Sequence, residues 1–197
     1  MDLLLATNNV HKWKEFQRIF EGHEILLPRD LQLSFQFEEE GRSFLENALG
    51  KAQALYAQAS RPVLSDDSGL CVPALGGEPG ILSARYGPAG QAESLSDTDR
   101  YLYLLERMRD IEERQAYFVC SMVLILDDYR FFTAQETLQG HIAEKPAGEG
   151  GFGYDPVFFV PERGMTVAQL EDSVKDTISH RGRAGRRLLS MIESLGE

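Results

Sequence analysis

Cysteine, basic residues and long apolar runs are all scarce in this chain. Cysteine occurs twice, at Cys71 and Cys120, within apolar runs and without CxxC spacing, which predicts two buried thiols in a reducing compartment. The 20 Lys and Arg against 31 Asp and Glu leave a net charge of −11, which argues against broad binding to nucleic acid. The longest apolar run, around 123–126, is far too short to span a membrane, and the N-terminus is too short and acidic for a signal peptide. We therefore expect a cytoplasmic protein with no nucleic-acid or membrane partner.

The overall composition of the chain is that of an ordinary soluble globular protein. The chain has 197 residues, of which 43% are hydrophobic and 26% charged. This length suffices for one substantial domain or for two small lobes around one cleft. An apolar run at 3–6 ends in Thr7-Asn8-Asn9, and apolar residues then recur at helical spacing. This strand–turn–helix pattern is typical of α/β proteins.

The pattern of the later segments continues this alternation. It predicts a second strand region over 24–37, a helix that begins at the capping box Ser43–Glu46, a strand at 62–64, a helix over 99–113, a hairpin of strands 116–126 and 129–141, a strand over 155–160 and a final helix capped by Ser179. The predicted fold class is therefore α/β.

Two adjacent acids, Asp66 and Asp67, follow the strand at 62–64. Neighbouring carboxylates repel each other unless a cation, a hydrogen bond or a proton lies between them. A third candidate acid, Glu39, lies in the acidic loop 38–40. Mg²⁺ takes one or two carboxylates together with phosphate oxygens, which these acids could supply. The alternatives are a plain turn for the aspartates and a solvated charge run for the loop.

Lysines beside helix starts are candidates for binding an anion. The segment from Thr7 to Lys12 lies where a strand passes into a helix, and a helix N-terminus suits phosphate. Lys12 is unfavourable in a first turn unless an anion lies in front of it; the alternative is a helix cap followed by a solvated lysine. Asn47 and Lys51 are four residues apart on one helix, so Lys51 could reach the same anion or be an ordinary surface lysine.

A glycine-rich stretch and a basic segment complete the candidates. The stretch GGFGYDP at 150–156 lacks Walker spacing, but its glycines let backbone approach a ligand while Phe152 stacks on a flat group; the alternative is a bulge with a core phenylalanine. Lys175, His180 and Arg181 bring cations and donors to the last helix start, although His180 could be a surface or capping residue. Arginine donors suit a keto oxygen or a phosphate. Together the candidates fit Mg²⁺–nucleoside triphosphate chemistry.

Five motifs give the chain a close resemblance to a known family. They are LLATNNVHK at 4–12, EEEGRSFLENALGKA at 38–52, SDDSGLCVPALGGEPGILSARYG at 65–87, GGFGYDPVFF at 150–159 and KDTISHRG at 175–182. In order and spacing they resemble the inosine triphosphate pyrophosphatase family, also called non-canonical purine NTP pyrophosphatases or XTP/dITP diphosphatases. The resemblance covers essentially the whole chain.

The resemblance implies an Mg²⁺-dependent enzyme that hydrolyses ITP, dITP and XTP between the α- and β-phosphates. The products would be the nucleoside monophosphate and pyrophosphate. It also implies one domain over 1–197, built as two mixed α/β lobes with a long central mixed sheet, the active site in the cleft between the lobes, and a homodimer. A nucleotide-binding sensor without turnover and a general nucleotide phosphatase are the alternatives.

The resemblance also implies roles for individual residues. Those expected to bind phosphate are Thr7, Asn8, Asn9, Lys12 and Lys51. The metal ligands are expected to be Glu39 and Asp67. Asp67 is also the expected proton acceptor, with neighbouring Asp66 as the alternative, and Ser68 a substrate contact. The expected base-binding residues are Phe152, Gly153, Tyr154, Asp155, Lys175, His180 and Arg181.

Two residues depart from the family pattern, and a different residue, Arg181, carries a hypothesis about base specificity. Asn8 stands where many members have glycine, and Glu40 stands where threonine or aspartate is frequent. Donors from Arg181 would pair with the 6-oxo group of hypoxanthine or xanthine and would face the 6-amino group of adenine donor to donor.

Overall fold

A computed structural model describes residues 1–90 and 94–194 of the chain. Its strands are β1 (Asp2–Leu5), β2 (Glu24–Leu26), β3 (Val63–Cys71), β4 (Gln115–Ile125), β5 (Phe131–Ile142), β6 (Phe158–Val160) and β7 (Met165–Thr166). Its α-helices are α1 (Val10–Ile19), α2 (Phe44–Ala59), α3 (Asp97–Arg107), α4 (Asp172–Ile178) and α5 (His180–Glu193). Within this part of the chain, no helix has the length and apolar character needed to cross a membrane.

The strands form a seven-stranded sheet in the order β2-β1-β3-β4-β5-β6-β7. β1 pairs in parallel with β2 and β3, whereas β6 pairs antiparallel with β5 and β7. The turn between β4 and β5 is held by Asp127, whose Oδ1 accepts hydrogen bonds from the Tyr129 and Arg130 amides at 3.0 and 2.9 Å. A mixed sheet with surrounding helices confirms the predicted mixed α/β class.

The chain divides into two compact units. Unit 1 contains Met1–Ser68, Cys120–Glu136 and Ser179–Glu197; unit 2 contains Gly69–Val119 and Thr137–Ile178. In unit 1, alternation along β1 sends Leu3 and Leu5 into one apolar cluster with Phe16 of α1, while Leu4 enters a second cluster with Leu55 of α2. Helices therefore pack on both faces of the sheet in this unit, which is why β1 is apolar throughout.

Unit 2 has a core of its own. Its largest buried side chains come from α3, β4 and the segment that contains β6, and they include Leu104, Met108, Phe118 and Phe158. The rings of Phe118 and Phe158 pack with their centroids 4.4 Å apart.

Four sequence predictions are wrong in their bounds. The strand predicted at 62–64 is β3, which continues to Cys71 and contains Asp66 and Asp67. The strand predicted over 155–160 is β6 only at Phe158–Val160, because Asp155–Val157 forms a 3-10 turn. The strand region over 24–37 is a strand only at Glu24–Leu26, because Pro28 begins a single 3-10 turn and has no amide hydrogen to donate to a sheet. The helix predicted over 99–113 is α3, which begins at Asp97 after the cap residue Ser96 and ends at Arg107. Just after this end, the Arg114 guanidinium donates to the Met108 carbonyl oxygen at 3.0 Å and so satisfies one of the carbonyl groups that the helix leaves unpaired.

Candidate active site

The side chains of the two adjacent acids of β3 point to opposite faces of the strand, which reduces the repulsion between them. Asp66 and Asp67 are 2% and 5% exposed, and successive side chains on a strand point to opposite sides. Asp66 meets cations from α1 and α5, whereas Asp67 meets α2. The pair is therefore more than a turn, and each acid has its own cationic partner.

Asp66 is held by a buried ionic network in unit 1. Its Oδ1 accepts from Lys12 Nζ at 2.9 Å, and its Oδ2 accepts from Arg181 Nη2 and from the Ser68 hydroxyl, both at 3.1 Å. Arg181 Nη1 donates to Glu15 Oε2 at 2.6 Å. Burial alone would raise the pKa of Asp66, but the charges of Lys12 and Arg181 outweigh it and hold that pKa well below its usual range. Asp66 therefore strongly favours its ionised form.

Asp67 and Glu39 share the ammonium group of Lys51. Lys51 Nζ lies 2.5 Å from Glu39 Oε1 and 3.5 Å from Asp67 Oδ1, and Asn47 Nδ2 donates to Asp67 Oδ2 at 3.0 Å. Burial raises the pKa of Asp67, and the opposing charges of Lys51 and Lys12 do not fully offset this. Burial lowers the pKa of Lys51, yet the surrounding carboxylates, led by Asp67, raise it above its ordinary value. Glu39 and Asp67 thus both contact one positive charge, the ammonium group of Lys51.

The donor set of this second cluster fits Mg²⁺. Within residues 1–90 and 94–194, no group of three or more His, Cys, Asp or Glu side chains could hold a metal by itself. Glu39 and Asp67 offer only carboxylate oxygens, and Mg²⁺ typically takes one or two carboxylates and fills its other positions with water and substrate phosphate. A pair of carboxylates around a cation position is what such a site requires.

The loop before α1 combines a helix cap with a half-buried lysine. Asn9 Oδ1 accepts from the amides of His11 and Lys12 at 2.9 and 3.2 Å, so the capping alternative is confirmed for Asn9. The Thr7 hydroxyl accepts from the Asn9 amide at 3.1 Å, and Asn8 Nδ2 donates to the Phe35 carbonyl oxygen at 2.8 Å. The solvated-lysine alternative is wrong, because Lys12 pairs with Asp66.

The predicted base-binding segment forms a separate cluster in unit 2. Asp155 Oδ2 accepts from Lys175 Nζ at 2.6 Å and from the Phe152 amide at 2.9 Å. Lys175 Nζ also lies 5.0 Å from the centroid of the half-buried Phe152 ring, within cation–π range. Gly151 has φ of +72°, and a Cβ there would lie 2.0 Å from Asp155 Oδ2, so only glycine permits this turn.

Two other residues of this segment, Tyr154 and Gly153, are held by hydrogen bonds to the rest of unit 2. The Tyr154 ring is buried, and its hydroxyl donates to the Ser83 carbonyl oxygen at 2.8 Å. The Gly153 amide donates to Asp97 Oδ2 at 2.8 Å, at the start of α3. Tyr154 thus anchors the segment, while Asp97 holds its turn.

The last predicted residues, His180 and Arg181, begin α5 in unit 1. Both are buried, and the Ser179 hydroxyl caps the helix by accepting from the Gly182 amide at 3.1 Å. Sequence reasoning missed Glu15 and Asp97. Nothing in the local pattern marks either of them, because their partners, Arg181 and Gly153, are distant in sequence.

The fold and these clusters define a class: a mixed α/β protein in which two adjacent carboxylates of one strand pair with lysines from two helices. The chain belongs to the Ham1 family, whose model matches residues 3–191. A dITP/XTP pyrophosphatase of Treponema denticola is 49% identical over 184 residues, which are 93% of this chain and 94% of that protein. A dITP/XTP pyrophosphatase of Thermus thermophilus is 47% identical over 193 residues, which cover 96% of this chain and 90% of that protein.

Solved structures agree with this assignment. The Ham1 protein of Staphylococcus aureus is 38% identical, with a TM-score of 0.85 and full coverage of both chains. A HAM1 protein from Coxiella burnetii has a TM-score of 0.87 at 33% identity, covering 98% of this chain and 99% of that one. The family predicted from the five motifs is confirmed.

Proposed function

We propose that this chain is a nucleoside triphosphate pyrophosphatase that hydrolyses the non-canonical purine nucleotides dITP, XTP and ITP between the α- and β-phosphates. The products are the nucleoside monophosphate and pyrophosphate, and the reaction removes deaminated purines from the nucleotide pool. The relatives named dITP/XTP pyrophosphatase, at 47–49% identity over nearly the whole chain, carry this proposal. The carboxylates and lysines clustered in unit 1 are the groups that hydrolysis of a nucleoside triphosphate needs, so they agree with the proposal.

In this proposal, Glu39 and Asp67 hold Mg²⁺. When bound, the ion neutralises phosphate charge and polarises the phosphorus centre that water attacks. Lys51, whose ammonium group lies against both carboxylates, would supply a positive charge to the phosphates beside such an ion. Lys12, in the first turn of α1, adds a second positive charge for the triphosphate.

Asp67 is the better proton acceptor of the two aspartates. Both Asp66 oxygens accept from cationic donors within 3.1 Å, so a proton on Asp66 would break buried ion pairs. Asp67 lies 3.5 Å from Lys51 and otherwise accepts from the neutral Asn47 amide. We therefore assign proton transfer from the attacking water to Asp67, and assign to Asp66 the fixing of Lys12 and Arg181.

For the base, we keep the role that the resemblance implies for the unit 2 segment. The Phe152 ring offers a flat face, and Lys175 and the neighbouring amides offer donors for an oxo group. Arg181 remains a proposed donor to the 6-oxo group. In this structure its guanidinium donates to Asp66, Glu15 and Ser68, which fixes the plane of the group.

The test is product analysis with Mg²⁺ and dITP, XTP, ITP, dATP, ATP and GTP in parallel. Pyrophosphate and orthophosphate are measured separately, and Asp67→Asn protein is the control for contaminating phosphatase. We expect pyrophosphate and monophosphate from dITP, XTP and ITP, with far slower turnover of the canonical nucleotides. Orthophosphate as the only inorganic product would identify a general phosphatase. Tight binding without any product would identify a sensor.

Two further properties belong to the proposal. We propose a cytoplasmic location, in keeping with the two reduced and buried thiols. We also propose a homodimer, as the resemblance implies. Light scattering coupled to size-exclusion chromatography measures the second directly: a mass near 22.1 kDa would contradict it, and twice that mass would support it.

A further inference from the structure

The Asn47 side chain joins the two segments that carry the proposed metal ligands. It is 1% exposed. Its Oδ1 accepts from the Gly41 amide at 2.8 Å, and its Nδ2 donates to Asp67 Oδ2 at 3.0 Å. Gly41 lies two residues after Glu39, so this one amide fixes the acidic loop on one side and the β3 carboxylate on the other.

The chemistry of these contacts admits only one orientation of the amide. The Gly41 amide is a donor and must meet the oxygen, whereas the Asp67 Oδ2 atom is an acceptor here and must meet the nitrogen. Neither leucine nor aspartate can make both contacts. An aspartate would place a third carboxylate against Asp67.

Gly41 belongs to the same hydrogen-bonded arrangement as Asn47. A Cβ at this position would lie 2.5 Å from Asn47 Oδ1 and 2.9 Å from Glu46 Cβ. Only glycine therefore lets the loop backbone approach close enough to donate to Asn47. One helical turn further along α2, Lys51 contacts both carboxylates, so the face of α2 that presents Asn47 and Lys51 serves both ligands.

We infer that Asn47 is a positioning residue that sets the separation of Glu39 and Asp67 and thereby the affinity of the site for its divalent cation. This inference rests on the metal role of the two carboxylates in the proposed function. Asn47 acts through hydrogen bonds to the ligand segments, and such outer partners typically change metal affinity by about 10–100-fold when removed.

Two variants test the inference, one at Asn47 and one at its hydrogen-bond partner Gly41. Asn47→Leu keeps the approximate volume and removes both hydrogen bonds, whereas Gly41→Ala places a Cβ against Asn47 Oδ1 and Glu46 Cβ and so pushes the loop away from Asn47. The matched control is Ser121→Ala, which removes a part-buried side-chain hydrogen bond of 2.8 Å to Gln135 in the same unit. Circular dichroism and Trp13 fluorescence establish that each protein is folded.

The primary readout is Mn²⁺ binding to the nucleotide-free protein, followed by the electron paramagnetic resonance signal of free Mn²⁺. We expect the dissociation constant to rise about tenfold or more in both variants and to stay at the wild-type value in Ser121→Ala. A purely structural role would lower the folded fraction without moving this constant. Constants within threefold of wild type in both variants would overturn the inference.

The second readout is the Mg²⁺ concentration that gives half-maximal pyrophosphate release from dITP. It should rise by the same factor as the Mn²⁺ constant. If wild-type protein released no pyrophosphate while the Mn²⁺ constants shifted, the proposed function would fail and the role of Asn47 would stand. If pyrophosphate were released while the Mn²⁺ constants did not shift, the positioning role alone would fail.

Discussion

The Glu15–Arg181 ion pair allows a quantitative prediction about stability. Glu15 on α1 is 5% exposed and Arg181 on α5 is 3% exposed. With Lys12 and Asp66 they form a buried set of two acids and two cations whose formal charges sum to zero. Glu15→Gln keeps the side-chain shape but removes one negative charge, which leaves the set with a net positive charge.

The magnitude follows from the geometry. At the observed 2.6 Å the gross attraction is about 6 kcal/mol for an effective dielectric constant of about 20. The cost of removing both charges from water offsets part of this. Breaking one side of a buried pair leaves that cost uncompensated on the other side and typically destabilises by about 3–5 kcal/mol. Because Asp66 still faces Arg181 in the variant, we expect a loss near the lower end, about 3 kcal/mol.

The assay is urea unfolding followed by the fluorescence of Trp13, the single tryptophan, which lies on the same helix as Glu15. The control is Glu136→Gln, because Glu136 pairs with Arg187 on the same helix as Arg181, but Arg187 is 66% exposed. An exposed pair should contribute at most about 1 kcal/mol. If Glu15→Gln cost no more than Glu136→Gln, the buried network would not be the stabilising element that its geometry indicates.

Three further predictions concern the proposed site and unit 2. Asp67→Asn should lower the rate of pyrophosphate release by about 10²–10⁴-fold without changing the urea midpoint by more than a surface substitution does; near-normal turnover would exclude Asp67 as the proton acceptor. Asp97→Ala removes the acceptor of the Gly153 amide, so the KM for dITP should rise about tenfold with little change in kcat, and an unchanged KM would separate Asp97 from base binding. Hydrogen bonds from Ser96 lower the pKa of Asp99, so this carboxylate stabilises α3 above its ordinary pKa of 3.8 and loses that contribution as the pH falls through its lowered value. The difference in urea midpoint between wild type and Asp99→Ala should therefore shrink from pH 7 toward pH 3, and a constant difference would contradict this.

Local sequence signals predicted helix starts well and strand ends less well. The Ser43, Ser96 and Ser179 caps precede α2, α3 and α5, since a cap depends on residues within one turn. Of these three serines, the sequence pattern predicts Ser43 and Ser179 as caps but not Ser96. The extent of β2 and of α3 could not be predicted in the same way. Each depends on which groups satisfy its backbone, and for α3 one of these is the Arg114 side chain.

The five motifs by themselves determined the family, because their residue types, order and spacing carry that information without reference to partners. The sequence also determined that Asp66 and Asp67 need compensating charge. Only the tertiary structure decided which cation each acid receives, because strand alternation sends them to different helices. The burial of Glu15 was likewise a tertiary outcome, since an acid can be buried beside a core phenylalanine only when a distant arginine is brought to meet it.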